Sequence, residues 1–235
     1  MPAIFIIGAG PNVGKATAEV FSAAGYKVAL ASRSNQVGGN YRHYTFDATK
    51  PDDLPAVFEQ VEKDVGIPSV VVYNAAKGGQ TKTDEPFQDM DFFRANLNIN
   101  TVSPFVAARE AIKGFDKLGA SGLGHSGGTF IFTGNLLNKT AVQGLMSFGM
   151  QKGAGAHMIQ YLALVAFKDK PYKFYYPDER RPGGHYVTND LNGKGHADLF
   201  LDLAKDPKQR PWNQTFVTGE GYQVFPSPEA MTWDG

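Results

Sequence analysis

Apolar residues fall along this chain in two alternating rhythms. Short strand-like runs recur at residues 4–7, 26–31, 41–46, 68–73, 129–132, 172–176 and 215–217. The first, Ile4-Phe5-Ile6-Ile7, is unbroken, which suits a strand covered on both faces. Between the runs lie segments with helical spacing. Residues 15–24 read as a helix closing at Gly25, residues 52–64 place Val57 and Val61 on one face with Val65 following, and residues 91–115, 146–167 and 196–205 read as three more. This alternation predicts an α/β fold: a doubly wound parallel sheet of about seven strands with helices on both faces and ligands at the strand carboxyl ends. Residues 117–128 are glycine-rich and read as a surface loop holding an uninvolved His125. Residues 177–195, polar with four glycines, read as a hinged lid over a pocket, and residues 223–235 as a tail with Trp233 as an anchor onto a neighbour.

The turn after the first strand carries the first chemistry. Gly8, Gly10 and Gly14 surround Asn12 and Val13 and lead into the first helix. A buried strand, a glycine turn and a helix start form a site for a dinucleotide pyrophosphate. Glycine lets the backbone approach the phosphates, and free N–H groups and the helix dipole favour negative charge. The second strand ends at Ser32-Arg33 with no Asp or Glu nearby. An acid there would grip the 2′-hydroxyl of NAD; a guanidinium suits a 2′-phosphate, so the expected cofactor is NADP(H). A solvated surface arginine is the alternative. The sheet is then Rossmann-type, and residues 1–235 form one NADP(H)-binding domain.

In order and spacing, Gly8, Asp47 after the third strand and Asn74-Ala75-Ala76 after the fourth resemble the motifs of the short-chain dehydrogenase/reductase family. The resemblance runs from Ala3 to about Tyr222. It implies that Asp47, with Ala48 beside it, binds the adenine end. It implies that Asn100, followed at the family's spacing by Ser103 and Phe105, supports an ordered water in a proton relay. Lys152 matches the lysine of the Tyr-x-x-x-Lys signature, which holds the nicotinamide ribose, and Pro177 stands where the family's Pro-Gly lines the nicotinamide. The departures are Asn12 for the middle glycine (a residue tolerant of unusual backbone angles), Asn135 near the catalytic serine with Thr133 the nearest hydroxyl, Phe148 for the tyrosine, and Asp178 after Pro177.

In the family the tyrosine protonates the alkoxide formed by hydride transfer. A phenol near pKa ~10 can be tuned for that, whereas a phenyl ring has no proton to give. Three readings follow. The chain is an NADP(H)-dependent oxidoreductase acting on a small-molecule carbonyl or conjugated enone, with Asn135 or Thr133 polarising the carbonyl. Alternatively it binds NADP(H) without turnover, as a sensor or assembly partner, or reuses the pocket for a non-redox step such as cyclisation. Tyr176, at the end of the 172–176 strand with Tyr175, is a candidate to touch substrate, with Tyr186 beyond it. Arg180, Arg181 and His185 in the lid would greet an anionic substrate. Gly149, Gly153, Ala154, Gly155 and Ala156 crowd one helix, and glycine costs ~1 kcal/mol against alanine there. Close packing should offset that, so a homodimer or homotetramer is expected, with a tight contact inside one chain as the alternative.

Composition excludes more than it adds. The 23 basic residues match the 23 acidic ones, so no nucleic-acid partner is expected. There is no cysteine, which removes disulfides, thiol catalysis and thiolate metal sites, and no metal site is expected. No apolar run approaches the ~20 residues of a membrane span, and the first strand begins at once, so a cytoplasmic protein off the membrane is expected.

Overall fold

The computed structural model describes residues 1–188, 190–226 and 230–231; Trp233 lies outside them. Its centre is the buried strand β1 (Ala3–Ile7). On one side β1 pairs in parallel with β2 (Lys27–Ser32), which pairs with β3 (Arg42–Thr45). On the other it pairs with β4 (Val70–Tyr73), followed outward by β5 (Gly128–Phe132), β7 (Tyr172–Glu179) and β8 (Asn213–Val217). A short antiparallel strand, β9 (Gly221–Tyr222), ends the sheet at eight strands, one more than the periodicity suggests. Chain order reverses between β1 and β4, which opens a crevice at their carboxyl ends.

Side-chain alternation divides the core. Ile4 and Ile6 face α1 (Val13–Ala23) and α6 (Gly193–Lys205), where Phe21, Phe200 and Leu203 cover them. Phe5 and Ile7 face the layer of α2 (Leu54–Asp64), α4 (Ser103–Leu123) and α5 (Met146–Tyr161), against Phe58, Val61, Phe115 and Ile159. Each fully buried large apolar side chain contributes roughly 1.5–3 kcal/mol of transfer free energy.

Four expectations are corrected. The helix expected over 91–115 is α3 (Met90–Leu97), a π-helical stretch Asn98–Val102, and then α4. The loop expected over 117–128 is helical to Leu123, interrupted at Gly119 (φ 59°); Leu123 is buried and anchors the last turn. The strand expected to stop at residue 176 continues to Glu179, so the lid does not begin at residue 177. β7 leaves β5 after Tyr175 and pairs with β8 from Tyr176 onward, so Pro177 lies beyond the β5 ladder and its missing N–H costs nothing there. Within the tail, β10 (Ala230–Met231) pairs in parallel with β6 (Ala141–Val142), just before α5. Gly155 owes its identity to packing inside the chain, because a Cβ there would lie 2.3 Å from the Phe132 ring, whereas Gly153 faces open space.

Candidate functional site

A cleft of about 380 Å³ opens at the carboxyl ends of β1, β2 and β4. Its floor is the glycine turn. Gly8 has φ +84°, and a Cβ there would lie 2.3 Å from the Ala75 nitrogen. Gly14 must stay bare because a Cβ would meet the Ala9 Cα at 2.7 Å. Gly10 differs: it lines the cleft and a Cβ would meet nothing within 4 Å. Asn12 caps α1 at φ −100°, so the turn needs no left-handed residue there. Its side chain makes no capping bond and donates to the Leu191 carbonyl at 2.8 Å. The Lys15 N–H donates to the Gly10 carbonyl at 2.9 Å, which leaves the first-turn N–H groups of Val13 and Gly14 for an anion. Val13 is buried, so only its backbone can serve the turn.

The other end of the cleft is polar. Ser32 Oγ donates to the Ser34 carbonyl at 2.8 Å and lies 2.9 Å from His43 Nε2. Arg33 is exposed, lines the cleft and has no ion pair among the described residues. Asp47 accepts the Thr49 N–H at 3.0 Å; that bond, more than the nearby Arg33 charge, holds its pKa below the ordinary carboxylate value. Ala48, Asn74, Ala75 and Ala76 complete the expected lining, and Gln36, Thr49, Lys77 and Ile99 join it without a sequence signal.

A hydrogen-bond chain runs from the turn into the molecule. Asn74 Nδ2 donates to the Gly8 carbonyl at 3.0 Å, Thr133 Oγ1 donates to Asn74 Oδ1 at 3.0 Å, and Lys152 Nζ donates to the Thr133 carbonyl at 2.8 Å. Lys152 is only 2% exposed, with its ammonium 4.4 Å from the Phe132 ring centroid and 5.8 Å from that of Phe148. Burial pulls its pKa down to about 7, against the charge of Asp178. Asn100 is buried: its Nδ2 donates to the Lys77 carbonyl at 2.6 Å and to Gln151 Oε1 at 2.8 Å, and its Oδ1 accepts the Lys77 N–H at 3.1 Å. Asn135 Oδ1 accepts from the Leu137 N–H at 3.2 Å and the Tyr176 hydroxyl at 3.4 Å, which turns its NH₂ away from both.

Two expected contacts are displaced. Tyr176 does not stand at a pocket mouth: it is fully buried under Gly134, its hydroxyl on Asn135, and burial raises its pKa. Pro177 lies inside β7, and its carbonyl accepts the Gly134 N–H at 2.6 Å. The lid charges are committed too. Arg180 is 5% exposed and gives two bonds to one Asp178 oxygen (2.8 and 2.6 Å) and one to the Gly184 carbonyl (2.9 Å). Arg181 pairs with Asp190 on the surface, and His185 is exposed. Half-buried Phe148 packs against the cluster of Leu136, Leu137, Val142 and Leu145, as does Met231, and its ring lies 5.8 Å from the Lys152 ammonium. Among the described residues no cluster of three metal-type ligands occurs, and no helix is long and apolar enough to cross a membrane.

A family model for short chain dehydrogenase matches residues 2–169. The chain is 40% identical over 240 residues to the short chain dehydrogenase/reductase dmxR12 of Cryptosporiopsis sp. (strain 8999), with 96% of each chain covered. In structure it is similar to a metagenomic short-chain oxidoreductase in complex with NADP (TM-score 0.78, 16% identity, 92% of this chain and 96% of that one). It is also similar to an alcohol dehydrogenase from Thermococcus sibiricus complexed with 5-hydroxy-NADP (TM-score 0.73, 15% identity, 96% and 100%).

Proposed function

The chain belongs to the short-chain dehydrogenase/reductase family, and from that premise we propose that it is an NADP(H)-dependent oxidoreductase acting on a small-molecule carbonyl or conjugated enone. The observation that carries the cofactor is the cleft itself. A bare Gly10 and an uncapped α1 start lie at one end, and an exposed Arg33 without an ion-pair partner at the other. The α1 start would receive the pyrophosphate, Arg33 and Ser32 the 2′-phosphate, and Asp47 the adenine end. A nicotinamide cofactor bound there would supply or accept hydride.

The residues left for the substrate differ from the family pattern. Phe148 brings no proton. We take the Asn135 NH₂, whose own oxygen is committed to Leu137 and Tyr176, as the donor that polarises a substrate carbonyl. Thr133 holds Lys152 and Asn74 in line and has its hydroxyl committed. Lys152, with a pKa near 7 and an apolar wall around it, can hold a ribose hydroxyl, its ammonium aimed by the Thr133 carbonyl. Enone reduction suits this set, because an enolate needs its proton at oxygen less urgently than an alkoxide does.

A second reading, an NADP(H)-binding protein without turnover, is favoured by the sealing of Lys152 at 2% exposure. Incubation with NADPH and a panel of ketones and enones separates the two. Oxidation of NADPH with any enone supports the oxidoreductase. Tight NADPH binding with no turnover, and none after Phe148→Tyr, supports the second. Absence of NADPH binding removes both. A homodimer or homotetramer through the α4–α5 face is part of the proposal, supported by exposed Phe105, Met150 and Leu164.

A further inference from the structure

Asn12 is the one departure from the family pattern that lies in the cofactor turn, and its side chain turns away from the cleft. Its Nδ2 donates to the Leu191 carbonyl at 2.8 Å. Its Oδ1 sits against Gly193, where a Cβ would lie 2.4 Å away. These two residues flank Asn192, the cap of α6, whose Oδ1 accepts the Gly195 N–H at 2.8 Å. The Asn192 backbone N–H donates to Glu179 Oε2 at 2.8 Å, and Glu179 Oε1 accepts the Thr218 hydroxyl at 2.6 Å. The start of α6 is thus held from two sides: by the phosphate turn through Asn12, and by the ends of β7 and β8 through Glu179.

We infer that Asn12 is a positioning residue that passes cofactor occupancy from the phosphate turn to the start of α6 and so to the end of β7, from which Arg180 and the following loop depart. The inference rests on the NADP(H) reading of the cleft. A phosphate on the α1 start fixes the backbone of Asn12. The side chain of Asn12, hydrogen-bonded to Leu191 and wedged on Gly193, then fixes the segment 191–193. A glycine at position 12 would bind phosphate through the same backbone but leave this segment untied. Gly193 is the matching half of the device, since its missing Cβ is the space that the Asn12 side chain occupies.

Amide hydrogen exchange on the full-length chain tests this, with and without NADPH at concentrations that saturate each protein. In the wild type, NADPH should slow exchange at residues 191–193 as well as at residues 32–34 beside the cleft. In Asn12→Gly the slowing at 191–193 should fall about fivefold, the size of one neutral hydrogen bond, while that at 32–34 persists. Gly193→Ala, which keeps the Asn12 amide but fills its space, should give the same pattern and serves if Asn12→Gly does not fold. Full NADPH-induced slowing at 191–193 in the folded variants overturns the inference. So does a saturated wild type that responds only at 32–34. A wild type that binds no NADPH overturns the cofactor reading, and the inference falls with it.

Discussion

Lys152 keeps its ammonium buried, with no ion pair among the described residues. The Thr133 carbonyl and the Phe132 face are its near partners, and burial lowers its pKa to about 7. In the unfolded chain the same group titrates near ~10.4. Between those values the unfolded state binds the extra proton, so this residue makes stability rise with pH from about 7 upward. Lys152→Met should flatten that rise, most visibly as a smaller gain in thermal midpoint between pH 7 and pH 9; an unchanged slope would mean that the ammonium is better solvated than its surroundings imply. Arg33 is the opposite case, exposed and without an ion pair. Arg33→Ala should weaken NADPH binding about 10- to 100-fold, the size of charge-assisted bonds to a phosphate, and leave NADH binding nearly unchanged. Titration of both cofactors by fluorescence measures the ratio.

Between elements, close approach decides which glycines matter. Gly8 carries the contact between the β1 end and the β4 end, with its φ of +84° and Ala75 against it. Gly8→Ala should cost about 2–4 kcal/mol from left-handed strain and overpacking, read as a lowered urea midpoint. Gly10→Ala meets open space in the chain itself, so its urea midpoint should hold while NADPH affinity falls, because the methyl would project into the cleft. The same logic explains β7. Asp178 and Glu179 can be buried strand residues because Arg180 satisfies one and Thr218 and Asn192 the other. A stretch that looks like the polar start of a lid is therefore part of the sheet.

For the whole molecule, α5 joins two environments. Its inner face packs Gly155 on Phe132, whereas Gly153 opens outward on a helix whose Met150 is 59% exposed. On the neighbouring elements Phe105 and Leu164 are 58% and 51% exposed. If this face joins two copies, Met150→Glu should convert a dimer to monomer in analytical ultracentrifugation and leave NADPH binding in place. A monomer in the wild type would sink the assembly. At the other end of α5, β10 brings Met231 onto the apolar cluster against which Phe148 packs.

The sequence alone settled what depends on neighbours in the chain. The order of strands and helices, the glycine turn into α1, and the placing of Arg33 and Asp47 at strand ends all follow from local pattern, because periodicity and turn chemistry are local properties. The tertiary structure decided the partners. Asn12 meets Leu191 across 179 positions, Asn100 meets Gln151 across 51, and Lys152 takes its low pKa from burial against the Phe132 ring on β5. Tyr176 and Pro177, read as open to ligand from their place at a strand end, are interior because β7 changes partner from β5 to β8 at that point. Strand ends are set by which neighbour supplies the next hydrogen bonds, and no pattern within a single strand records that.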